Sequence, residues 1–183
     1  MKKYWLISFF VIVITTCGFS QTFLTKNGMI RFYSEASLEK IEAVSRQANS
    51  ALIAQSGDFV FKVLIKSFTF DKALIQEHFN ENYLESDKYP EATFVGKVTN
   101  IKEVNFAKDG SYPVTVEGKL TIHGQTQTVK ETGTFDVKND VVTAKSKFNI
   151  MLADYKISIP NTVVNKISKS IETTVEVALT KYK

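Results

Sequence analysis

The chain has 183 residues, with 23 basic and 19 acidic side chains and a formal net charge of +4. Its charges are mixed along the chain rather than clustered, which argues against nucleic acid as a partner. One cysteine, Cys17, and two histidines, His78 and His123, are too few for a zinc site of the usual kind and exclude an internal disulfide.

The first twenty residues read as a Sec-type signal peptide. Lys2 and Lys3 precede an apolar run, Trp5–Ile14, that is short for a bilayer span, and Gly18 and Ser20 supply the small residues of a cleavage site before Gln21. A lipoprotein signal would instead acylate Cys17, but Ile14, Thr15 and Thr16 are a poor fit before such a cysteine. The expectation is cleavage after Ser20, export to the periplasm or outside the cell, and no transmembrane segment in the mature chain. Such a chain, 21–183, keeps 21 basic residues against 19 acidic ones and contains no cysteine. It reads as one domain, stabilised by its core and hydrogen-bond ladder alone.

Beyond residue 28 the dominant period is two. Phe59, Phe61, Val63 and Ile65 alternate with Val60, Lys62, Leu64 and Lys66; Tyr112, Val114, Val116, Leu120 and Ile122 form a second such series, and Ile171, Thr173, Val175, Val177 and Leu179 a third. One apolar and one wet face per strand suits an antiparallel sheet closed around a core. Strands are expected at about 29–34, 39–45, 49–56, 58–68, 92–106, 111–123, 126–137 and 141–152, with a ninth at 170–181. Turns at Gly57-Asp58, Lys108-Asp109-Gly110 and Lys138-Asn139-Asp140 separate them. Leu38–Ala43 also admits a helical reading.

The spacing predicts one short helix over 72–84, capped by Asp71, with Leu74, Ile75, Phe79 and Tyr83 on its apolar face and Pro90 beyond its end. A second helical turn is expected within 161–168. Many strands and one helix favour an all-β, lipocalin-like antiparallel barrel of about eight strands, because closure removes exposed edges. A barrel of that size either fills with side chains or holds one small ligand. Val142, Ala144, Ser146, Phe148, Ile150 and Leu152 share a face with small residues in its middle, which favours a cavity, whereas Phe59, Phe61 and Phe135 could fill that space. The sequence leaves both open.

Little chemistry is available. No nucleophile elbow, phosphate loop or dinucleotide fingerprint occurs. Glu77 and His78 lack the second histidine of a metalloprotease helix, and Glu81 and Glu85 fall on the expected solvent side. His78 and His123 are candidate polar contacts for a ligand headgroup, against the plainer reading of capping or core hydrogen bonds.

Two segments carry a resemblance: EHFNENYLESDKYPEATFVGKV at 77–98, through His78, Phe79, Tyr89, Pro90, Ala92, Thr93 and Phe94, and LTIHGQTQTV at 120–129, through Leu120 to Gly124, Thr126 and Val129. Over roughly 28–181 the chain resembles the YceI-like family, which implies an exported, lipocalin-like barrel binding a long isoprenoid or related lipid chain, with no catalytic role, cofactor or metal. The signature residues describe a fold more than an activity. Inward-facing alternation nominates Phe59, Phe61, Val63, Val114, Val116, Phe135, Ala144, Ser146, Phe148, Val175 and Val177 as the cavity lining. The expected function is to hold an isoprenoid, quinone or fatty-acid-like chain. The alternatives are a filled barrel acting as an interaction module, a homodimer included, and an envelope enzyme using His78 or His123.

Overall fold

The computed structural model describes residues 21–182; the expected signal peptide and Cys17 lie outside that range. The chain forms β1 (Thr22–Glu35), β2 (Lys40–Ile53), β3 (Asp58–Leu64), a two-residue β4 (Thr69–Phe70), the helix α1 (Ala73–His78), and then β5 (Glu91–Val98), β6 (Gly110–Ile122), β7 (Gln125–Lys138), β8 (Val141–Met151) and β9 (Ser170–Lys181). Every pairing is antiparallel. The order β1-β9-β8-β7-β6-β5-β3-β2 closes on itself through β1–β2, and β4 is a short flap on β2. The result is a closed eight-stranded barrel, which leaves no long edge free for aggregation.

Two tight turns set the register of the second half. His123-Gly124 and Asn139-Asp140 join β6–β7 and β7–β8, and all four residues have positive φ, as two-residue hairpins with the right twist require. At Gly124 a side chain would also strike the Tyr89 ring, 2.5 Å from a Cβ. Gly96 and Gly118 face each other across β5–β6. Their missing side chains let the Phe94 ring lie across both strands, within 2.8 Å of where a Cβ on Gly118 would be.

Several expectations change. The three short N-terminal strands are two long ones, with register shifts between Thr25 and Ile30. Leu38–Ala43 is loop and strand rather than helix. β3 stops at Leu64 and β5 at Val98, each followed by a 3-10 turn, at Ile65–Ser67 and Ile101–Glu103. The helix is a single α-turn region that widens into a π-helical turn at Phe79–Tyr83, where the Leu84 amide donates to the Phe79 carbonyl. Lys72, in extended conformation, occupies the N-cap, and Asp71 caps nothing. Leu74 is 61% exposed, so the face turned to the barrel is formed by Ile75, Phe79 and Tyr83, each only half-buried. The expected turn within 161–168 is present as a 3-10 turn at Asn161–Val163.

Candidate functional site

The interior of the barrel has two halves. At the end that carries Phe23, Lys181 and the Asn139-Asp140 turn, Phe23, Leu52, Phe59, Val98, Val114, Phe135, Val137, Val142, Val177 and Leu179 pack into one cluster, with Ile101 and Val104 closing the end. Phe23 stacks on Phe106 at 5.3 Å, and Phe59 meets Phe135 edge-on at 6.1 Å. This half is a filled core.

The other half is hollow. It encloses a cavity of about 260 Å³ whose wall is almost entirely apolar. That volume lies just below the usual range of small-molecule sites, roughly 300–1,000 Å³, and suits one slender chain rather than a bulky group. β3 contributes Phe61 and Val63, β5 Ala92 and Phe94, β6 Val116 and Leu120, β8 Ser146, Phe148 and Ile150, and β9 Ile171, Thr173 and Val175.

The mouth is covered from two sides. Phe79 carries the helix onto the barrel, its ring 5.3 Å from Phe32, 5.8 Å from Phe68 and 4.9 Å from Phe70. All four rings face the cavity. Opposite, the long β8–β9 connection sends Leu152, Ile157 and Ile167 inward. It is tied to β1 and the β1–β2 loop by the Ser168 amide donating to Ser34 Oγ (2.9 Å) and the Leu38 amide donating to the Asn165 carbonyl (3.0 Å).

The nominated residues divide between the halves. Phe59, Phe61, Val63, Val116, Ser146, Phe148 and Val175 line the cavity, Phe59 at its floor. Val114, Phe135, Ala144 and Val177 face inward as expected but belong to the filled core, so they do not line the cavity. Alternation along a strand cannot tell at which height packing stops. Sequence reasoning missed Phe32, Phe68 and Phe70. Phe68 and Phe70 follow a 3-10 turn that breaks the period of β3, and only their i, i+2 spacing hinted at a shared face.

Neither histidine reaches the cavity. His78 is exposed and its Nδ1 lies 2.9 Å from Asn82 Nδ2. His123 is largely covered (12% side-chain exposure). Its Nδ1 faces the Tyr155 carbonyl at 3.1 Å and its Nε2 faces Glu85 Oε2 at 2.7 Å, and Tyr89 packs edge-on against the ring at 4.8 Å. The ring thus staples the β6–β7 turn to the helix exit and to the segment after β8. Glu85 is therefore a partner in this staple and not a purely solvated side chain. Its positive φ of 43° is held by the Lys88 and Tyr89 amides, which both donate to its carbonyl. Tyr155 is buried beside it, and its phenol is pushed up to about 12 by burial first and then by the charges of Asp154 and Glu131.

Among the described residues no cluster of histidine, cysteine or carboxylate side chains could hold a metal, and no helix is long and apolar enough to cross a membrane. The wall holds one ionisable carboxyl, Glu131 on β7, whose pKa burial raises.

The profile of the YceI-like domain matches residues 14–180. Comparison with curated proteins gives no match. Among solved structures, a polyisoprenoid-binding domain from Saccharophagus degradans aligns with a TM-score of 0.77 at 13% identity, covering 89% of this chain and 99% of that one. BcnA from Burkholderia cenocepacia aligns at 0.69 with 14% identity, covering 83% and 95%. A YceI protein from Campylobacter jejuni aligns at 0.54 with 16% identity, covering 100% and 99%. At these identities the likeness is one of fold.

Proposed function

The chain belongs to the YceI-like family, and on that premise we propose that it is an exported binding protein holding a long-chain apolar ligand in the hollow half of its barrel. The observation that carries this reading is the apolar cavity of about 260 Å³ beneath the Phe32, Phe68, Phe70 and Phe79 rings. Burying a chain there is worth roughly 0.8 kcal/mol per methylene, so a dozen carbons suffice for useful affinity without a strong polar contact. The similarity to a polyisoprenoid-binding domain favours an isoprenoid or prenylated quinone over other chains. A binding role is preferred to a reaction because the two histidines point away from the cavity, one to solvent and one into a structural staple. Export rests on the leader sequence, and N-terminal sequencing of protein from the periplasm or medium is expected to start at Gln21.

The test of binding is extraction of natively purified protein with organic solvent followed by mass spectrometry. The expected result is a stoichiometric long-chain lipid, absent when the protein is unfolded and washed before extraction. Recovery of no lipid, together with no uptake of added farnesol, would overturn the proposal.

A further inference from the structure

The cavity offers a polar head almost nothing. Ser34, Tyr83, Thr93, Glu131, Ser146 and Thr173 border it, yet its surface is almost entirely apolar. Two of the hydroxyls are engaged with the chain itself: Ser146 Oγ donates to the Thr132 carbonyl at 2.7 Å, and Ser34 Oγ accepts the Ser168 amide at 2.9 Å. A polar head drawn inside would lose its water without gaining a partner, so an amphiphile would sit with its hydrocarbon end inward and its head at the mouth. How much of the chain is buried then depends on where the cavity ends.

It ends at an aromatic layer. Along one row of the register, Leu52 on β2 pairs with Phe59 on β3, Phe59 with Gly96 on β5, Gly96 with Gly118 on β6, and Gly118 with Val129 on β7. Two neighbouring positions of that row carry no side chain. The Phe94 ring leans across both, its tip 2.7 Å and 2.8 Å from where their Cβ atoms would be. Phe59 meets Phe94 edge-on at 6.3 Å and Phe135 at 6.1 Å. Phe94 borders the cavity, whereas Phe135 belongs to the filled core and does not. Among the described residues, Phe59 alone is both a buried member of that core and part of the cavity wall.

We propose that Phe59 is the stop of the cavity and sets the length of chain that this protein buries. The inserted end of the chain meets the Phe59 ring, and whatever exceeds the depth of the cavity stays at the mouth. At about 30 Å³ per small unit of packed liquid, a water's share and close to a methylene's, the cavity of about 260 Å³ buries on the order of ten carbons. Longer chains gain nothing further from the barrel, because their extra methylenes remain outside it. Truncating Phe59 joins the cavity to the space beside Phe135 and lengthens it. This inference rests on the proposed binding function and adds the length selectivity of that same cavity.

The test is displacement of a fluorescent apolar probe from the full mature chain by straight-chain alcohols from hexanol to tetradecanol, with the wild type, Phe59→Ala and Phe59→Leu. Affinity for the wild type is expected to rise about fourfold per methylene up to about ten carbons and to level off beyond. Phe59→Ala is expected to move that break outward, so that tetradecanol gains on decanol by about tenfold or more relative to the wild type. Phe59→Leu should shift it in the same direction by less. A rise that continues unbroken to tetradecanol in the wild type, or an unmoved break in folded Phe59→Ala, would overturn the stop while leaving binding intact. If the wild type binds neither the probe nor any alcohol, the binding function fails and the stop with it. Should neither variant fold, dodecanol labelled at its terminal methyl decides the matter with the wild type. Its nuclear Overhauser contacts are expected at Phe59 and Phe94, and contacts confined to Phe32, Phe70 and Phe79 at the mouth would count against the stop.

Discussion

One barrel contains two interiors, a filled half around Phe135, Leu52 and Leu179 and a hollow half around Phe61, Phe148 and Val175. The same strands build both. Going up β8 from the filled end, the inward series runs Val142, Ala144, Ser146, Phe148 and Ile150, and the ladder to β7 ends at Ser146. Beyond that height the wall spreads, and large rings no longer meet across the middle. In the filled half the side chains complete each other; in the hollow half the rings of Phe32, Phe68, Phe70 and Phe79 gather at the mouth and leave the space beneath them open. A barrel can therefore draw its stability from one end and leave the other for a guest.

The sharpest way to break this contrast is to truncate one ring in each half. Phe135→Ala, at a site 2% exposed, is expected to cost about 3–5 kcal/mol in urea unfolding. Phe148→Ala is expected to cost only about 1–2 kcal/mol, because that ring is half-buried and already faces empty space on one side. Equal losses would mean that the halves do not differ as described. Next in size, Gly118→Ala would place a Cβ 2.5 Å from the Val95 carbonyl oxygen and 2.6 Å from Gly96 Cα. Neither neighbour can yield without moving the β5–β6 ladder, so a loss of about 1–3 kcal/mol is expected in the same assay.

The staple at the mouth is a smaller effect. His123→Ala removes the contacts to Tyr155 and Glu85, and a loss of about 1–2 kcal/mol is expected. Amide hydrogen exchange should show faster opening of the 84–90 and 152–157 segments, with the filled half unchanged. Uniform acceleration throughout the barrel would argue that the mouth and floor open as one unit.

The smallest effect comes from Glu131. Its folded pKa is raised by burial, so between the unfolded and folded values the native state holds more protons and stability falls as pH rises. The cost is absent below the unfolded pKa and complete above the folded one. In ligand-free protein, Glu131→Gln is therefore expected to unfold at slightly higher urea than the wild type at neutral pH. The difference should vanish once the pH falls below the ordinary glutamate range. A constant difference at every pH would point to packing rather than ionisation.

Much of this was legible because period two is a strong signal where inward residues are apolar. The β3, β6, β8 and β9 alternations and the helix-borne Phe79 were visible from residue order alone. In β2 the signal failed because the inward face includes Ser45, whose hydroxyl lies 2.7 Å from Ser67 Oγ, so a buried polar pair imitated a surface position. In β1 the register shifts between Thr25 and Ile30 broke one long strand into apparent fragments. Glu131 escaped for the reason that hid Ser45. A charged residue reads as solvated, and only its parity with Val129 and Phe135 marks it as inward. The boundary between filled and hollow was not readable, because it depends on where β7 and β8 part company, which is a property of the closed barrel.

The central claim, that the hollow half and not the filled half receives an apolar chain, is tested most directly by isotope-filtered nuclear Overhauser spectroscopy on isotopically labelled protein with unlabelled farnesol. Contacts are expected from farnesol methyl groups to Phe61, Val63, Phe148 and Val175, with none to Phe135, Val137 or Leu179. Contacts to the filled half, or only to outward residues such as Val60 and Val95, would contradict it.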